Sequence, residues 1–157
     1  MNTRTAAFNR ETVRVPISSV VLASQRVPVG NAIYSVKKDA ENVNPLVVEG
    51  QKLLPSVTRV FSRGRDLYVF LQAYQRAEAS PLPLVAFVTF YRGAVKILET
   101  APLALTGDVD PRTKALPLRF SVPLEGLAPG RYECQVTVLE PGAAKATFWR
   151  APIAIVP

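Results

Sequence analysis

An all-β, antiparallel two-sheet sandwich is the fold class that this sequence predicts, and three observations carry the expectation. Residues 131–138 alternate, with Tyr132, Cys134, Val136 and Val138 on one side and Arg131, Glu133, Gln135 and Thr137 on the other. A period of two rich in β-branched residues is what a half-buried strand needs, because successive side chains face opposite sides of a sheet. Fourteen prolines stand against eight glycines, and they punctuate apolar runs rather than interrupt them. Proline lacks a ladder donor and belongs at strand ends and edges, so this spacing favours many short strands. From residue 56 onward about seven such runs recur at the 8–12-residue rhythm of a sandwich, and helical periodicity is sustained nowhere.

Residues 1–14 are polar, basic and aperiodic, which predicts a disordered tail or linker. Residues 15–52 read as an N-terminal strand-and-loop extension. It opens with a β-prone run at 15–23 (VPISSVVLA), passes through a long polar connection at 24–45, and ends in two apolar pieces around Glu49-Gly50, a hairpin signal. The sandwich itself is expected over 53–157. Residues 56–62 alternate, and Arg63-Gly64-Arg65 turns into 66–74 (DLYVFLQAY). Both faces of that run are apolar, so it reads as a central strand with something packed on each side; the segment around Val20–Leu22 is the expected cover for Tyr68, Phe70 and Tyr74. Residues 84–92 are the most apolar run, and Gly93 turns them into 94–100. Residues 101–105 continue along an edge after Pro102, 116–124 alternate between prolines, and 145–156 form the last strand.

The lead-in Leu127-x-Pro129-Gly130-x-Tyr132-x-Cys134 looks like the penultimate strand of an immunoglobulin or fibronectin type III sandwich, where a tyrosine at the strand entrance ties back onto the preceding corner. In antibody domains the cysteine would bridge to the partner strand. Residues 67–71 offer no second cysteine, so Cys134 reads as a buried thiol acting as a small apolar residue.

Composition removes several kinds of chemistry. The chain contains one cysteine and no histidine, so it lacks the commonest general base and metal ligand and cannot build an internal disulfide or a cysteine-based zinc site. No Gly-x-Ser-x-Gly elbow, phosphate loop or close acid pair on one strand is present, and neither an enzyme nor a cofactor is expected. Asp108 and Asp110 form an Asp-x-Asp fragment, but a calcium loop needs six or more oxygens, and a solvated turn is the reading. No run approaches the length of a transmembrane helix, and the N-terminus lacks a signal-peptide pattern, so the chain taken as written would stay in the cytoplasm.

Five residues stand out as candidates for interaction. Phe148 and Trp149 are adjacent and must face opposite sides of the last strand, so one is core and the other an exposed anchor for a protein partner or neighbouring domain. Arg59, Arg63 and Arg65 bracket Phe61, the kind of basic and aromatic mixture that holds a nucleic-acid backbone. The net charge of +7 is concentrated in residues 1–65, with ten Lys/Arg against four Asp/Glu. A binder of nucleic acid or an anionic surface is therefore the rival to a protein-interaction module.

The runs NPLVVEGQKLLPSVTRVFSRGRDLYVFLQAY (44–74), LVAFVTFYRG (84–93) and VPLEGLAPGRYECQVTVLEP (122–141) resemble the C-terminal region of bacterial von Willebrand factor type A–related proteins, acidobacterial ones in particular. The likeness covers residues 17–157. It implies an immunoglobulin-like accessory module that follows a type A domain in an exported protein, hence an extracellular or periplasmic address if the chain belongs to a longer one. The Asp-x-Ser-x-Ser metal motif of type A domains does not occur here, so metal-dependent adhesion carries over to no residue.

Overall fold

The computed structural model describes residues 14–29, 46–75, 83–105 and 112–157. Within them lie eleven strands, one short 3-10 turn and no α-helix: β1 (Val21–Pro28), β2 (Val47–Val48), β3 (Gln51–Pro55), β4 (Val60–Ser62), β5 (Asp66–Tyr74), β6 (Leu84–Arg92), β7 (Val95–Glu99), β8 (Leu103–Leu105), β9 (Ala115–Pro123), β10 (Gly130–Glu140) and β11 (Lys145–Val156). They form two sheets. The first has the order β2-β3-β1-β5-β9; the second runs β4-β11-β10-β6-β7, with β8 also on β6.

Alternation decides which side chains meet between the sheets. Leu67, Val69, Leu71 and Ala73 of β5 and Leu116, Leu118 and Val122 of β9 come from the first sheet. Leu84, Ala86, Val88 and Phe90 of β6, Tyr132, Cys134, Val136 and Val138 of β10, and Ile153 and Ile155 of β11 come from the second. All are buried in one continuous apolar cluster, closed by Leu124 and Leu127 in the β9–β10 connection. Burial at roughly 25 cal/mol per Å² of apolar surface makes this layer the main source of stability.

Several elements fall where the sequence puts them. The runs 66–74, 84–92 and 145–156 are strands with those bounds. Glu49 and Gly50 connect β2 to β3 with φ of 52° and 72°, the doubly positive geometry of a two-residue hairpin turn. β8 continues the β6 edge beyond β7. Tyr132 Oη donates to the Ala128 carbonyl, closing the expected corner.

Other elements depart from expectation. The N-terminal strand is 21–28 rather than 15–23, so residues 24–28 are ladder, not loop. β1 does not cover the second face of β5. It hydrogen-bonds beside β5, between it and β3, sending Leu22 into the main core while Val21 and Ala23 join Phe70 and Leu53 on the opposite face. Residues 56–59 form a turn rather than a strand. Ser56 Oγ accepts from the Arg59 amide (3.1 Å), Arg59 has φ of 56°, and Val57 is 95% exposed. That turn carries the chain from β3 in one sheet to β4 in the other, and it delivers β4 parallel to β11. Antiparallel pairing throughout is thus corrected at one ladder.

The tail at 1–13, the polar stretch at 30–45, the loop at 76–82 and the Asp108–Asp110 pair lie outside the described residues.

Candidate functional site

β11 is the strand on which the candidate residues converge. Along one side it pairs with β10 from Lys145↔Glu140 to Ile155↔Gly130. On its other side β4 meets only Ala154, Ile155 and Val156. The direction of the free backbone groups follows from the register. The Ala154 amide donates outward to the Arg59 carbonyl (3.0 Å), and the Val156 carbonyl accepts from the Arg63 amide (2.8 Å). In an antiparallel ladder alternate residues aim both backbone groups away from a given partner, so Pro152, Arg150, Phe148 and Ala146 share this outward direction. Pro152, which has no N–H, sits there without harm to the β10 ladder. Among the described residues, the outward N–H and C=O of Ala146, Phe148 and Arg150 have no backbone partner. The edge is open over this stretch.

Its side chains are distinct on the two faces. Phe148 faces outward from the second sheet and is 63% exposed. The register aligns it with Thr137 of β10 and Phe87 of β6, and Thr137 is buried between them although it lies on an outward face. Trp149 faces the core and is half-buried, with the Arg59 guanidinium 5.7 Å from its ring centroid. Arg150 Nε and Nη2 donate to Gln135 Oε1 (3.2 and 2.8 Å), and its guanidinium lies 4.9 Å from the Tyr91 ring. Thr147 Oγ1 donates to the Val15 carbonyl, fastening the N-terminal segment near the start of β11. A depression of about 580 Å³ adjoins the edge, lined by Thr58, Arg59, Tyr91, Arg131, Glu133 and Pro152 among others.

The arginines singled out in the sequence do not share one surface. Arg59 covers Trp149. Arg63 is committed to the turn before β10, its Nε and Nη2 donating to the Glu125 carbonyl at 3.1 and 2.9 Å. Arg65 lines a separate hollow with Ser24, Arg26, Asp66 and Tyr68. Phe61, which they bracket, is core.

Sequence reasoning missed a second feature, on the outward face of the first sheet. A cleft of about 470 Å³ is lined by Leu46, Val48 and Glu49 at one edge of that sheet and by Arg119 and Ser121 at the other. Two edges of one sheet can line one cleft only if the sheet curls, and it does so as a half-barrel. Arg26 stacks on Tyr68 at 4.5 Å and Arg119 on Phe70 at 5.3 Å; burial lowers the pKa of Arg119. The signal for this cluster is cross-strand, and no spacing along the chain reports it.

Cys134 is fully buried, and desolvation pushes its thiol up to about 12, with Arg59 drawing it down and Glu133 raising it more weakly. An unfolded thiol ionises near 8.5, so above that pH the unfolded state binds fewer protons than the folded one, and stability falls as pH rises. Between about pH 8 and about pH 10 the wild type should lose roughly 1–2 kcal/mol more stability than Cys134→Ala, as read by urea denaturation. Equal losses would show that the folded thiol ionises normally.

No helix among the described residues is long and apolar enough to cross a membrane, and no group of three or more His, Cys, Asp or Glu among them could hold a metal ion. In comparisons with known proteins, no family model matches the chain and no curated protein matches it.

Proposed function

We propose that this chain is a non-catalytic accessory module of the immunoglobulin or fibronectin type III kind, which joins a partner protein or neighbouring domain through β11. The fold assignment draws support from the layer β4-β11-β10-β6-β7 facing β1-β5-β9, and from the Tyr132 hydroxyl tied to Ala128 at the turn into the penultimate strand. One observation carries the functional reading: an exposed aromatic, Phe148, sits on a strand edge whose outward hydrogen-bonding groups have no backbone partner among the described residues. Such an edge is a template for another chain, and proteins that do not use it blunt it with charge, proline or a cover. Pro152 and β4 close one end of it, and the Val15 segment reaches the Thr147 side chain near the other without pairing with the strand's backbone.

The sequence resemblance adds that the module works within an exported protein. A photo-crosslinking side chain installed at position 148 in the native host tests both parts. It should give a discrete protein adduct in the envelope or medium, while the same group at the still more exposed Val57 gives none. Adducts of equal yield at the two positions, or none at 148, would overturn the interaction reading. An adduct confined to the cytoplasm would overturn the address alone.

A further inference from the structure

We infer that the occupant of the β11 edge is an extended, acidic segment of a partner protein, added as a further strand to the second sheet. This rests on the interaction reading above and specifies the partner's chemistry.

Geometry sets the length. The open groups span Ala146 to Arg150, bounded by Pro152 and by β4, which begins opposite Ala154. At about 3.3 Å per residue this stretch accepts a segment of about five to seven residues before it meets β4.

Charge sets the composition. Lys145 and Arg150 lie on the strand itself. Arg59 stands over Trp149 where β4 begins, and the exposed Arg14 precedes Val15, whose carbonyl takes the Thr147 hydroxyl. The acids nearest in register are Glu140, opposite Lys145 and almost buried, and Glu133, opposite Pro152 beyond the open stretch, in the depression that it shares with Arg59 and Arg131. Among the described residues, the ion pair in the structure is Lys96–Glu99 at 3.5 Å, on β7 and remote from this edge. An incoming strand therefore meets Arg59 and Lys145 on the inward side, while Arg150, held over Gln135 and Tyr91, adds its charge to the outward face behind the edge.

A second copy of the chain is the weaker occupant. Two β11 strands paired antiparallel about Phe148 would bring the same cations together from molecules that each carry +7. Like charges across a strand pair are destabilising. An acidic segment with an apolar residue beside Phe148 satisfies both the open ladder and the charge.

The test uses labelled peptides of about seven residues alternating Val with Glu, Gln or Lys, titrated by fluorescence anisotropy at low and high salt, with amide exchange as a second readout. The Glu peptide should bind at least about fivefold tighter than the Gln peptide at low salt, the gap narrowing as salt screens exposed pairs. Binding should slow exchange at the Phe148 and Arg150 amides. Phe148→Pro removes an outward donor together with the exposed ring, leaves the ladder to β10 its own donors, and should abolish binding; Phe148→Ala, which removes the ring alone, should weaken binding without abolishing it. Arg150→Glu, a surface change that keeps the charge reading testable if the proline variant does not fold, should narrow the gap between the Glu and Gln peptides, since Arg59 and Lys145 remain.

Equal binding of Glu and Gln peptides would overturn the acidic occupant and leave strand addition standing. Binding without exchange protection at 148 and 150, or no binding by any peptide, would overturn the edge reading as well. Concentration-dependent dimerisation lost in Phe148→Pro would identify a second copy as the occupant instead.

Discussion

Phe61→Ala should lower folding stability by about 3–5 kcal/mol, the range for truncating a buried aromatic. Phe61 is 2% exposed and joins the main core from a strand only three residues long. That strand holds β11 through a short parallel ladder, in which the Ala154 amide donates to the Arg59 carbonyl and the Arg63 amide to the Val156 carbonyl. So few hydrogen bonds, each worth about 1 kcal/mol net, cannot retain β4 once its apolar anchor is gone. The urea midpoint should fall with little change in slope, and the Ala154 and Arg63 amides should exchange faster while the β10–β11 ladder stays protected. Release of β4 would also extend the open edge toward Val156, so self-association should rise at the same time. A stability loss below about 1 kcal/mol would mean that Phe61 is not part of the core.

The strands that were legible in the sequence are those whose faces differ in solvent contact. In β10, Tyr132, Cys134, Val136 and Val138 are buried, and the alternation is visible in the letters. β5 was legible for the opposite reason: Phe70 packs with Ala23 and Leu53 on one face, while its odd-numbered residues enter the main core on the other. β1 was half-hidden. Gln25 and Arg26 are exposed, and a register shift between Ala23 and Gln25 interrupts the alternation, so the run looks like loop although β3 and β5 both hold it. The parallel arrival of β4 was not legible at all, since it depends on a turn set by Arg59 in a left-handed conformation that arginine's composition does not announce.

The candidate site was legible as a pair of residues but not as an edge. Adjacent aromatics on a strand must face opposite ways, and Phe148 and Trp149 do; which of them is exposed depends on the register with Thr137 and Val136. The open backbone groups depend on how far β4 reaches along β11, a tertiary fact. One local sign was available. Pro152 lies inside an otherwise regular strand, and a proline tolerated there marks the positions whose amides point away from the neighbouring strand. The arginines misled because nearness in sequence is not nearness in space: a turn of the chain sends Arg59 to Trp149 and Arg63 to Glu125.

Tyr132→Phe should cost about 1–2 kcal/mol, a large loss for the removal of one atom. The hydroxyl donates to the Ala128 carbonyl and accepts from Arg92 Nη2 at 3.0 Å; the same nitrogen reaches the Pro129 carbonyl at 3.3 Å. The Arg92 guanidinium also lies 4.7 Å from the Tyr132 ring centroid. Gly130 makes room for this arrangement. Its φ is 150°, and a β-carbon there would stand 2.5 Å from Arg92 Nη2. Phenylalanine keeps the buried ring and removes only the oxygen that joins β6, the turn and β10 at one point. Ala128 and Arg92 are solvent-accessible, so water can replace part of what is lost, and the cost falls at the lower end for a broken buried hydrogen bond. Arg92→Lys alone should cost less, and the double variant should cost less than the sum of the two, because both remove the same contact. Additive losses in that cycle would show that Tyr132 and Arg92 act independently and that the corner is held by the Ala128 bond alone.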